Sequence, residues 1–105
     1  PVLGDAELEQ MRQSGFATTD LSTLFEIADG PEGLQRAVTR LCQQAAEAVR
    51  SGKKIVILSD RINHNGEVGG LSAECSYIPP LLAVGAVHHH LIRQGLRMQA
   101  SLVVD

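Results

Sequence analysis

The strongest constraint on the fold lies at the centre of the chain. Ile55-Val56-Ile57-Leu58 is an unbroken apolar run, three of its four residues β-branched. A strand exposed on one face alternates apolar with polar residues; a run without alternation must be covered on both faces, as in the middle of a parallel sheet. The segment before it supplies one cover. From Pro31 to Arg50, Leu34, Ala37, Val38, Leu41, Cys42, Ala45, Ala48 and Val49 recur at helical spacing and form one apolar stripe, while Arg36, Arg40, Gln43, Gln44 and Glu47 lie mostly off it. Pro31 suits the first helical position and Gly52 the stop. A strand-covering helix joined directly to a buried strand is half of a parallel α/β unit.

The remaining elements follow the same alternation. Residues 5–14 read as a short helix that Asp5 can cap, ended by Gly15, with Leu8 and Met11 as its apolar anchors. So short a helix must dock to persist. Residues 21–28 read as a strand, with Leu21, Thr23, Phe25 and Ile27 on one face and Asp29-Gly30 at its end. Residues 62–77 read as one long polar loop, functional or mobile or packed on something further. Pro79-Pro80 opens a third helix to about Gln94, stopped by Gly95. Its first turns hold Leu81, Leu82, Ala83, Val84, Ala86 and Val87, which predicts burial on more than one face. Residues 97–104 read as a final strand. The expected architecture is α/β, order α-β-α-β-α-β, with right-handed crossovers and a partial open parallel sheet. Three strands with no covering helix after the last point to a fragment of a larger α/β domain; a first residue that is not Met fits a processed chain, an excised domain or a piece of something longer.

Composition narrows the function classes. The 105 residues are 44% hydrophobic and carry a net charge of −3. There is no basic stripe, and Phe16, Phe25 and Tyr77 are the only aromatics, so nucleic-acid binding is disfavoured. A chain of this size buries about two-thirds of the surface it exposes unfolded, enough for one modest core. No leader and no run of about 18 apolar residues is seen, which argues for a soluble chain without a membrane span. Cys42 and Cys75 are too few for a disulfide scaffold and read as reduced thiols, Cys42 in the core of a helix and Cys75 in a loop.

Candidate chemistry is sparse. Asp60 and Arg61 leave the carboxyl end of the central strand, where open α/β sheets place their ligand sites. The alternative is an ion pair that serves the loop itself. His64, between Asn63 and Asn65, fits a polar site or a solvated turn. His88-His89-His90 sit on consecutive helical positions about 100° apart, so the three cannot converge on one metal ion. One buried and two surface histidines is the simpler reading, with His88 on the buried stripe and His90 beside Arg93 and Gln94. Gly69-Gly70 lacks the following Lys-Ser or Lys-Thr of a phosphate loop, residues 28–33 lack Gly-x-Gly-x-x-Gly spacing, and Ser59 lacks a nucleophile elbow. These residues supply no nucleophile–base pair, metal set or cofactor clamp.

Two longer stretches carry a resemblance. Val49-Arg-Ser-Gly-Lys-Lys-Ile-Val-Ile-Leu-Ser-Asp-Arg61, and the segment from Ser76-Tyr-Ile-Pro-Pro-Leu-Leu-Ala-Val-Gly-Ala-Val-His88 through Gly95-Leu-Arg-Met98 to Val103-Val-Asp105, resemble the central domain of the large chain of glutamate synthase. The likeness is weakest over residues 1–20 and 62–75. Around Arg97-Met98 and Val103-Val104-Asp105 it is closer to the ferredoxin-dependent kind of cyanobacteria and plastids than to the NADPH kind.

The resemblance implies a multidomain parent. An amidotransferase domain releases ammonia from glutamine with a terminal cysteine. A tunnel carries the ammonia to a (β/α)₈ flavin domain. There it condenses with 2-oxoglutarate and reduced FMN completes glutamate, with electrons relayed from ferredoxin through a 3Fe-4S cluster. Residues 1–105 would form the amino-terminal part of the central domain that links these units and helps frame the tunnel. The resemblance carries no catalytic, cofactor-binding or metal residue onto this chain. Its partners would be the other domains of the parent and, for the parent, ferredoxin. The oligomeric state stays open, since apolar surface meant for missing partners could drive self-association of the isolated segment; the location would be bacterial or cyanobacterial cytoplasm or plastid stroma. The competing reading is a free-standing α/β binding module that uses the crevice near Asp60 and Arg61.

Overall fold

The structure is a computed structural model that describes residues 5–13, 17–63, 68–69 and 74–105. Three helices, α1 (Asp5–Gln13), α2 (Gly30–Arg50) and α3 (Pro80–Arg93), accompany five short strands. The strands are β1 (Thr18–Ser22), β2 (Leu24–Glu26), β3 (Ile55–Ser59), β4 (Cys75–Tyr77) and β5 (Ser101–Val104). β1, β3 and β5 form a parallel sheet in that order, with Thr18 level with Ile55 and Leu58 level with Val104. Every residue of β3 is buried. The expected alternation of helices with parallel strands is therefore the skeleton of the fold.

Alternate β3 side chains face different covers. Val56 and Leu58, with Leu102 of β5, pack under α2 and α3 against Ala37, Leu41, Ala45, Val49, Ala83, Val87 and Leu91. Ile55 and Ile57, with Val103, pack on the opposite face against Leu8 of α1, flanked by Met11. The uninterrupted apolar run is thus explained by helices on both sides of one strand. α2 ends where Gly52 adopts φ +104°, and α3 is followed by Gly95 at φ +72°, conformations that a side chain would strain.

Four expectations need correction. The strand placed over residues 21–28 is two strands in two sheets. β1 stays in the parallel sheet; β2 pairs antiparallel with β4, Leu24 opposite Tyr77, and Ile27–Asp29 form a 3-10 turn. The switch occurs at Thr23, whose N–H donates to Ser59 O (2.8 Å) and whose carbonyl accepts from Ile78 N–H (2.8 Å). The loop placed over 62–77 accordingly ends in β4, and its start is held by a bridge between Ile62 and Val68. The last strand begins at Ser101, because Arg97–Gln99 form a 3-10 turn. Finally, the first turns of α3 are buried on one side only: Ala83 and Val87 are enclosed, but Leu81 is 90% and Leu82 45% exposed. The cap expected from the Asp5 side chain, the stop at Gly15, and His64, Asn65-Gly66 and Gly70 lie outside the described residues.

Candidate functional site at the carboxyl end of the sheet

The three parallel strands run out into polar residues at one level: Ser22 after Leu21, Ser59 after Leu58, Asp105 after Val104. Ser59 and Asp105 bond each other, and Ser22 holds the chain that follows. Ser59, fully buried, donates through Oγ to Asp105 Oδ2 (3.0 Å) and accepts from the Arg61 N–H (3.1 Å). Asp105 N–H donates to Leu58 O (2.9 Å), which extends the ladder by one step. Ser22 Oγ donates to Ile62 O (2.8 Å) and accepts from Leu24 N–H (3.2 Å). The Arg61 guanidinium reaches Asp105 Oδ1 at 3.5 Å, with its own side chain 57% exposed, so solvent screens the pair heavily.

Asp60 and Arg61 therefore stand where the sequence places them, but Arg61 is engaged by the turn. The crevice beside Asp60, floored by Leu58 and Ile78 and walled by Thr23, Pro80 and Asp105, leaves about 10 Å³. That is room for about one water; a small-molecule site takes roughly 300–1,000 Å³. The network residues that motif reasoning missed are Ser22 and Asp105. The signal was a hydroxyl or carboxylate directly after each strand's last apolar residue, a natural partner for backbone groups at a sheet end.

The histidines separate rather than converge. His88 is half-buried and accepts at Nδ1 from Arg97 Nε–H (2.7 Å); Arg97 Nη1 donates onward to Ala100 O (2.8 Å). His89 stacks edge-to-face on His88 with ring centres 5.5 Å apart. His89 and His90 face an open groove of about 480 Å³ between α3 and α2, shared with Arg93 and Cys42. Among the described residues, no three His, Cys, Asp or Glu side chains are grouped to hold a metal ion. Burial pushes the Cys42 thiol up, and the nearby Arg93 charge opposes this. Cys75 is more accessible, its Sγ 3.8 Å from Glu26 Oε1. Both thiols are free. Arg40 ties α2 to β2 by donating from Nη2 to Leu24 O (3.1 Å). Burial pulls its pKa down, and its Nε has no partner among the described residues. No described helix is long and apolar enough to cross a membrane.

The family model of the glutamate synthase central domain matches residues 1–105. The chain belongs to that family. Similar proteins include the "Ferredoxin-dependent glutamate synthase" of Pyropia yezoensis (42% identical) and "Ferredoxin-dependent glutamate synthase 2" of Synechocystis (44%), each aligned over the whole chain. The "Glutamate synthase [NADPH] large chain" of Azospirillum brasilense is 39% identical over 99% of the chain. The chain spans about 6% of the length of each of these relatives. Within the central-domain fold, the segments that carry the resemblance do structural tasks. Leu58-Ser59-Asp60-Arg61 is the exit of β3 into the hydrogen-bonded turn. Ile78, Ala83 and Val87 are core. Gly95-Leu96-Arg97-Met98 leads into the turn that Arg97 pins to α3.

Proposed function

We propose that this chain is a non-catalytic part of a glutamate synthase, the amino-terminal part of its central domain. It links the amidotransferase and FMN domains and helps frame the path of ammonia between them. In this reading the parent makes L-glutamate from glutamine-derived ammonia and 2-oxoglutarate with electrons from ferredoxin, in bacterial or cyanobacterial cytoplasm or plastid stroma. FMN and the 3Fe-4S cluster belong to other parts of the parent, and no residue here is catalytic. The carrying observation is the family match over residues 1–105. The similarity to relatives named as ferredoxin-dependent supports the electron donor. A free-standing binding module at Asp60 and Arg61 gains nothing from a crevice of about 10 Å³.

The test uses the full-length polypeptide with the sheet-end turn loosened by Ser59→Ala together with Asp105→Asn. Glutamine hydrolysis and ammonia-dependent glutamate formation should each stay within about twofold of the parent, while glutamine-dependent glutamate formation drops and free ammonia escapes. Loss of either half-reaction by more than about tenfold in a folded variant would sink the non-catalytic assignment.

A further inference from the structure

α3 has two long sides: one faces α2, and the other meets the 3-10 turn at Arg97 but leaves large apolar residues exposed. Ala86, His90 and Arg93 turn toward α2 across the groove beside Cys42. Away from α2, toward the 3-10 turn that Arg97 anchors on His88, positions 81, 85, 88 and 92 fall on one stripe at i, i+4, i+7, i+11. Leu81 is 90% exposed and Ile92 51%. Between them lie His88, which Arg97 holds, and Gly85, in the middle of a helix, where glycine is less stable than alanine. Nothing among the described residues requires the glycine: a Cβ built at Gly85 meets no atom within 4 Å. A large apolar residue at each end and a bare backbone at the middle is the profile of a close helix–helix crossing.

The sheet locates the missing neighbour. α2 and α3 cover the same face, and the order β1-β3-β5 steps in one direction, so each crossover helix sits beside the last. In the described sheet β5 pairs on one side only, and this side of α3 faces the turn that leads into β5. Relatives of this chain are polypeptides of which it spans about 6%. We infer that the flank Leu81–Gly85–Ile92 is covered by an apolar helix of the same polypeptide, lying outside residues 1–105 and crossing α3 closely at Gly85. This rests on the reading of the chain as part of a longer enzyme.

The test uses the full-length polypeptide with a photo-reactive benzoylphenylalanine in place of Leu81 or, separately, Ile92, and at exposed Gln35 of α2 as control. Peptide mapping after irradiation should place links from both flank positions, and none from Gln35, on a segment outside 1–105 with apolar residues three and four apart. Gly85→Leu should lower the thermal midpoint by several degrees. Links to a second copy of the chain, or no links from either flank position, would overturn the inference. So would a Gly85→Ala variant with a raised midpoint, the response of a solvent-facing helix. The two readings fail separately. A polypeptide that forms links but no glutamate from glutamine removes the enzyme assignment and keeps the flank; one that forms glutamate without links does the reverse.

Discussion

Ser59 shows how one hydroxyl can hold the end of a sheet. It is fully enclosed, donates to Asp105 and accepts from the Arg61 backbone, so β5 and the exit of β3 meet on a single oxygen. Replacing it by alanine removes the hydroxyl to which the part-buried Arg61 N–H donates and takes one donor from the largely buried Asp105 carboxylate. Such a loss costs about 1–3 kcal/mol. Ser59→Ala should raise the exchange rate of the Arg61 and Asp105 amides while leaving α2 amides unchanged, read by hydrogen exchange with mass spectrometry. Cys42 gives a second test at this scale. Its folded-state value is raised above the ordinary 9.0, because burial disfavours the thiolate. The protonated thiol thus contributes stability that is fully present below the unfolded thiol value and is lost as pH rises through the folded one. Denaturation midpoints measured at neutral and alkaline pH should fall more steeply in the parent than in Cys42→Ala. At neutral pH a thiol reagent should modify Cys75 well before Cys42, since Cys42 is 8% exposed.

At the scale of elements, what could be read from the sequence is what local spacing determines. The α2 stripe and the β3 run each settle their own structure, because burying one stripe or two faces leaves one conformation open to them. The boundary at Thr23 was hidden for a physical reason. Leu21, Thr23 and Phe25 keep period two straight through it, and only the hydrogen-bond partner changes, from Ser59 on one side to Ile78 on the other. β4 was hidden likewise: Cys-Ser-Tyr is polar and three residues long, and β2, far away in the chain, makes it a strand. Arg61 was legible as a turn residue, whereas its partner Asp105 is brought level with β3 only by the register of β5. The start of α2 carries a prediction that propensity alone gets wrong. Alanine for glycine in a helix ordinarily stabilises by about 0.5–1 kcal/mol. At Gly33 the new Cβ would drive into the Asp29 Cβ, an atom fixed to the backbone of the preceding turn. Gly33→Ala should therefore destabilise by about 1 kcal/mol or more, as overpacking does, seen as a lower midpoint in urea unfolding. An increase would mean that the 3-10 turn before α2 can yield.

The molecule as a whole is covered unequally. One sheet face lies under two helices of 21 and 14 residues that share an alanine-rich contact. The other face depends on α1, nine residues with Leu8 buried and Met11 partly so. A helix that short has little stability of its own; among the described residues, the contact of Leu8 with Ile55, Ile57 and Val103, flanked by Met11, anchors it. The dependence is mutual: among the described residues, Leu8 is the buried side chain that covers the second face of the central strand. Leu8→Ala should cost about 2–5 kcal/mol, as for other large-to-small core changes. It should show a signature that a cavity under α2 would lack. Amides of α1 should exchange at the rate of an unfolded chain, and a dye that reports exposed apolar surface should bind, while α2 and α3 amides keep their protection. Leu41→Ala, an equal truncation on the better-covered face, should lower global stability without that local loss. If both variants open α1 and α2 together, the two faces unfold as one cooperative unit and the asymmetry has no energetic consequence.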